Sequence, residues 1–186
     1  MRKIFLDCGA HCGCSRRIFL RDTDTKGEYS IYSFEPDPDF NQYCPDLINQ
    51  AVWVENCKKT YYKIGTTGGS SLSPIKSNYM KSKGHRVVEI EVECIDLSEF
   101  IQTNFLLDDY IVLKMDIEGA EYEIFPHLIE TGSIHYANEI FVEFHGAKVG
   151  HSIEDGEELK NRVYRECGVN VQDWSGMKTD MCIKHT

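Results

Sequence analysis

The stretch that most restricts how this chain can fold is its opening, Met1 to Ser15, MRKIFLDCGAHCGCS. A short apolar run, Ile4-Phe5-Leu6, ends in the acid Asp7, and small residues follow at once: Cys8, Gly9, Ala10 and then Gly13. Ser15 to Leu20 can be helical, with Ile18, Phe19 and Leu20 as its apolar side. Strand, tight glycine turn and helix make the opening unit of a nucleotide-binding α/β sheet. Glycine suits the turn because the backbone reverses sharply and a ligand approaches where a Cβ would stand. The helix start behind it offers free N–H groups to a carboxylate or phosphate. A glycine pair after an apolar run is also an ordinary structural turn, so the second strand has to carry the argument further. Tyr29 to Phe34, YSIYSF, has the composition of a buried strand and ends in Glu35-Pro36. An acid at that tip, roughly twenty residues past the glycine turn, is placed to bind both hydroxyls of a ribose. Together the two tips describe an adenosine site.

The rest of the chain alternates strand and helix. Asn49 to Glu55 reads as a third strand and Thr60 to Ile64 as another. Val87 to Ile95, VVEIEVECI, alternates strictly, with Val88, Ile90, Val92 and Cys94 on one face, so it predicts a half-exposed strand. Asp96 to Glu99 resembles a capping box opening a short helix. Tyr110 to Met115, YIVLKM, is apolar apart from Lys114 and predicts a central parallel strand ending at Asp116. A helix is expected over Gly119 to Leu128, a second central strand over Glu139 to Phe144, and a charged helix over Ile153 to Cys167. Val169 to Trp174 and Met181 to His185 read as a closing pair of strands. Gly65 to Gly84, with its glycines and serines and no apolar period, is expected to be a loop of the length used for binding or as a lid. This order implies an α/β domain with a mostly parallel sheet and helices on both faces. Ligands of such sheets bind beyond the carboxyl ends of the strands, so Asp7, Glu35, Asp116, Glu143 and His145 are expected to converge.

Composition bounds the partners. At 186 residues and 41% hydrophobic content, residues 1–186 are expected to form one globular domain. No apolar run reaches membrane-spanning length and the N-terminus shows no signal-peptide pattern. A net charge of −10 argues against a nucleic-acid backbone as the main partner. The eight cysteines include no CxxC pair; Cys8, Cys12 and Cys14 miss by one residue the spacing that holds an iron–sulfur cluster in radical enzymes. Reduced thiols then point to the cytoplasm.

Five segments carry a family resemblance. LDCGAHCGCS is similar to the first motif of the FkbM-type S-adenosylmethionine-dependent methyltransferases, with His11 where the family usually has Asn. SFEPDP, QAVW, LKMDIEGAE and FVEFH resemble its later motifs in the right order, and LKMDIEGAE is the most specific of them. The resemblance implies a Rossmann-like class I methyltransferase fold whose sheet ends in an antiparallel strand pair. It implies S-adenosyl-L-methionine as cofactor and O-methylation of a hydroxyl on a small-molecule or sugar-like acceptor. Family members carry helical sequence ahead of the first motif; this chain opens at the first strand, so cover is expected from Gly65 to Gly84.

The expected cofactor residues are Asp7, Gly9, Ala10, His11, Gly13, Ser15, Glu35, Pro36, Ala51, Ser71 and Asp116, with Asp7 toward the methionine ammonium and Ala51 against the adenine. Asp116, Glu143 and His145 are expected to serve the chemical step, because a neutral hydroxyl needs a base as its new bond forms and histidine exchanges protons near neutral pH. Glu118 and Glu121, three apart, share a face if a helix begins near Ile117. A divalent cation is compatible with these carboxylates, but none is predicted. Two other classes fit parts of the pattern: an NAD-dependent oxidoreductase, although GAHCG is not GxGxxG, and a nucleotide-binding module without chemistry.

Overall fold

A computed structural model describes residues 1–44, 46–65 and 69–174. Six parallel strands form the main sheet: β1 (Lys3–Cys8), β2 (Tyr29–Phe34), β3 (Leu47–Ile48), β7 (Tyr110–Met115), β8 (Ala137–Val142) and β9 (Val171–Asp173). Their order is β3-β2-β1-β7-β8-β9. The chain winds outward from β1 through β2 to β3, then crosses back to β7 and winds the other way. That reversal places a crevice above the tips of β1 and β7.

Side-chain alternation explains why both faces are covered. Ile4, Leu6 and Cys8 of β1, with Ile111, Leu113 and Met115 of β7, pack against α3 (Leu97–Asn104), α4 (Glu121–Glu130) and Val163 of α5 (Ile153–Cys167). Phe5 and Val112 point the other way, onto Phe19 of α1 (Cys14–Asp22), where the Phe5 and Phe19 rings stack at 3.9 Å. A strand buried on both faces has no polar side to show, which is why these runs read as continuous apolar sequence.

Two strand expectations need correction. A second, three-stranded sheet exists, ordered β4-β6-β5, from β4 (Ala51–Trp53), β5 (Cys57–Lys63) and β6 (Val88–Asp96). The third strand of the main sheet is therefore Leu47–Ile48, and Ala51–Trp53 leaves it to pair with β6. In β6, Val92 and Cys94 are buried as alternation requires, whereas Val88 lies at the exposed end. At the C-terminus, β9 forms within the expected Val169 to Trp174 and runs parallel to β8; its expected antiparallel partner, Met181 to His185, lies outside the described residues.

Part of the presumed loop is a helix, α2 (Pro74–Ser82). Ser73 caps it by accepting from the Lys76 N–H, and Pro74 occupies its first turn. Its polarity is inverted: Lys76 and Ser77 are buried while Ile75 and Tyr79 face outward. A search for apolar period passes over such a helix, although Ser-Pro marks its start. No described helix is long and apolar enough to cross a membrane.

Candidate active site

The turn after β1 is stitched to β2, because the Gly9 and Ala10 N–H groups both donate to the Phe34 carbonyl, at 3.0 and 2.9 Å. Gly9 has φ +80°, and a Cβ there would stand 1.9 Å from the Asp116 carbonyl oxygen. Only glycine lets the first turn and the end of β7 approach this closely. His11 also adopts a left-handed backbone, φ 49°, and its ring packs on Phe40 at 4.0 Å. Helix α1 then begins with Cys14 and Ser15 facing the crevice.

Asp7 lies beneath this turn and is fully buried. Its cross-strand neighbour is Lys114, also buried, whose Nζ stands 3.1 Å from Asp7 Oδ1. Ser15 Oγ donates to Asp7 Oδ2 at 2.5 Å, and Lys114 Nζ donates to the Gly9 carbonyl at 2.7 Å. Burial works against the Lys114 ammonium, but Asp7 and Asp116 outweigh it and hold its pKa above the ordinary value. The pair thus ties β1, β7, α1 and the turn into one support.

Glu35, at the tip of β2, is only 4% exposed. Its two oxygens accept the backbone N–H groups of His11 at 2.9 Å and Asp37 at 3.0 Å. Burial raises its pKa to about 7, against the opposing pull of those two N–H groups. The Tyr61 phenol beside it is pushed well up, by burial first and then by the Glu35 and Asp37 charges.

A second polar group gathers where β7 and β8 end. His145 Nδ1 lies 3.2 Å from Oε1 of Glu121, a fully buried carboxylate. Glu121 also accepts the N–H groups of Ile117 at 3.0 Å and Gly119 at 2.8 Å, so it is fixed in place. On the other side of the ring, Nε2 faces Glu118 at 3.4 Å and Asp116 and Glu143 at 3.7 Å each. The helix begins at Glu121, not near Ile117, and Glu118 sits before it with φ 59°. Glu118 and Glu121 therefore share no helix face; they meet on opposite edges of the His145 ring. Buried Lys76 of α2 pairs with Glu118. Its pKa falls to about 7 through burial and the Lys148 charge.

Both groups border one cavity of about 450 Å³ at the carboxyl ends of the strands, within the ~300–1,000 Å³ of small-molecule sites. Of the residues expected from the sequence, Gly9, Ala10, His11, Ser15, Glu35, Pro36, Ala51, Asp116, Glu143 and His145 line it. Asp7, Gly13 and Ser71 do not. Asp7 is covered by Ser15 and Lys114; Gly13 is the left-handed residue before α1; Ser71 is bridged to Tyr62 and donates through Oγ to the Glu118 carbonyl at 2.7 Å. Sequence reasoning passed over Lys76 and Tyr61 and treated Lys114 only as an interruption. For Lys114 a signal existed: a lone cation inside a central apolar strand needs a buried acid, and Asp7 ends the neighbouring strand.

A parallel α/β sheet with its cavity at the switch point, a buried acid ending the second strand and a polar cluster ending the central ones is the Rossmann-like arrangement of a methyltransferase domain. The sequence matches the Methyltransferase FkbM domain family over residues 7–169, and the chain belongs to that family. Neither curated proteins nor solved structures gave a match.

Proposed function

We propose that this protein is an S-adenosyl-L-methionine-dependent methyltransferase acting on a hydroxyl of a small-molecule or sugar-like acceptor. The observation that carries this reading is that one cavity joins Glu35 and the glycine turn at one end to Asp116, Glu143 and His145 at the other. The residues present fit the cofactor. Gly9 and Ala10 line the cavity with a turn that has little side chain, and Glu35, once ionised, has acceptor capacity left for ribose hydroxyls. Ala51 and Pro36 supply apolar wall. Asp7 acts from below, by positioning Ser15 and Lys114, and Ser71 by anchoring the loop that carries Glu118.

When bound, the cofactor supplies a methyl group already activated on a sulfonium. The protein's work is then alignment and handling of one proton. Asp116, Glu143 and His145 would orient the acceptor hydroxyl toward that methyl group, and this cluster would receive the proton the hydroxyl gives up. The −10 net charge supports a small acceptor over a nucleic acid. Cys8, Cys44, Cys57, Cys94 and Cys167 are thiols outside any disulfide, which supports a cytoplasmic setting.

Calorimetric titration with S-adenosylmethionine, S-adenosylhomocysteine and NAD tests the reading. Binding of the first two selects the methyltransferase. Binding of NAD instead, or of none, would select the oxidoreductase or the non-catalytic module.

A further inference from the structure

We infer that Asp116, Glu118 and His145 form a binding site for a divalent first-row cation, best matched by Mn²⁺. The imidazole is 91% buried on its side chain and points Nε2 into the space between three carboxylates. Nδ1 engages the buried Glu121, which favours the tautomer with its proton on Nδ1 and leaves the Nε2 lone pair free to ligate. A histidine held this way by a carboxylate behind it is the common arrangement of metal-bound imidazole.

The distances separate this reading from a plain ion-pair hub. A protonated Nε2 would draw at least one carboxylate to about 2.7–2.9 Å. None comes that near; the three stand at 3.4, 3.7 and 3.7 Å. Ligands about 2.1 Å from a shared octahedral ion are instead about 3.0 Å apart when adjacent and about 4.2 Å when opposite. The observed separations fall inside that interval, and one donor atom from each of Asp116, Glu118 and His145 lies within 4.8 Å of the other two. Among the described residues Nε2 makes no hydrogen bond.

Charge points the same way. Three carboxylates converge on one imidazole, offset by Lys76 on Glu118 and by Lys114, whose Nζ is 4.0 Å from Asp116. One nitrogen among oxygen donors suits Mn²⁺ better than an all-oxygen Mg²⁺ or Ca²⁺ site or a thiolate-rich zinc site. The role of the cation rests on the methyltransferase reading. Held by Asp116, Glu118 and His145, it would bind the acceptor oxygen and lower the pKa of its hydroxyl, leaving Glu143 of the same cluster to take the proton.

The test is Mn²⁺ binding to chelator-treated protein, followed by calorimetry and by loss of the free-ion paramagnetic resonance signal. One saturable site is expected. His145→Ala and Glu118→Gln should each weaken it at least about 30-fold, and Glu121→Gln by about 10-fold, as for loss of a carboxylate behind a ligand. No saturable uptake, or uptake unchanged in both His145→Ala and Glu118→Gln, overturns the site. Circular dichroism checks folding. If His145→Ala does not fold, Glu118→Gln and Asp116→Asn decide, both replacing partly exposed side chains with isosteres. S-adenosylhomocysteine is titrated into the same samples. Its binding without Mn²⁺ uptake sinks the cation alone, and Mn²⁺ uptake without its binding sinks the methyltransferase reading while the metal site stands.

Discussion

Replacing Glu35 by Gln separates the burial of this carboxylate from its use. The folded protein raises the Glu35 pKa from 4.5 to about 7, and burial is the main cause. Each tenfold change in proton affinity is worth about 1.4 kcal/mol, so ionised Glu35 destabilises the fold by about 3 kcal/mol relative to its protonated form. The sign follows from linkage. Below pH 4.5 the group is protonated in both states and contributes nothing to the pH dependence. As pH rises from 4.5 to about 7, the unfolded chain loses its proton first, and stability falls. Because the side chain is nearly fully covered, solvent does little to screen this effect. Glutamine never ionises, so the variant lacks this slope. It also keeps an oxygen for only one of the two backbone N–H groups, which costs about 1–2 kcal/mol at every pH. The stability difference between variant and wild type should therefore move by about 2–3 kcal/mol in the variant's favour between pH 5 and pH 8.5, roughly 5–10 °C in Tm for a chain of this size. Urea denaturation of both proteins at several pH values measures it. Wild-type affinity for S-adenosylhomocysteine should rise with pH up to about 7 and then level, while the variant binds weakly throughout. Parallel stability profiles for the two proteins would refute the argument, whatever the ligand does.

Gly9→Ala should destabilise the protein by about 3 kcal/mol or more, since the new Cβ meets a backbone oxygen that cannot swing away and the φ is left-handed; a thermal melt close to wild type would contradict it. Lys114→Met strands Asp7 as a buried charge, at about 3–5 kcal/mol. Adding Asp7→Asn should recover part of that loss, and strictly additive effects in urea would show that the two are not paired. Asp116→Asn keeps the shape and removes the charge. Turnover should fall about 100-fold or more with S-adenosylhomocysteine affinity within a few-fold, and turnover within a few-fold of wild type would remove Asp116 from the chemical step.

The sequence by itself determined the central strands of the main sheet and the end at which their acids gather. Continuous apolar runs such as KIFLDC and YIVLKM can be satisfied only by burial on both faces, and the acids near their ends mark the carboxyl tips of the strands. Glu35, the Gly9 turn and the DIEGAE segment were legible for that reason, and so was the family. The tertiary structure alone decided what those acids touch. Asp7 ends its strand as Glu35 does, yet pairing in register with Lys114 turns it inward, and no local pattern encodes which strand will lie alongside. Helix α2 stayed hidden because its buried face is polar, and Lys76 is acceptable there only through Glu118, more than forty residues away. The departure of Ala51–Trp53 into a second sheet rests likewise on pairing with β6. His145 acquires its surroundings from four acids whose positions are set by two strand ends and the loop before α4. Period and propensity act over a few residues, whereas the partners of buried charges are chosen by packing across the whole chain.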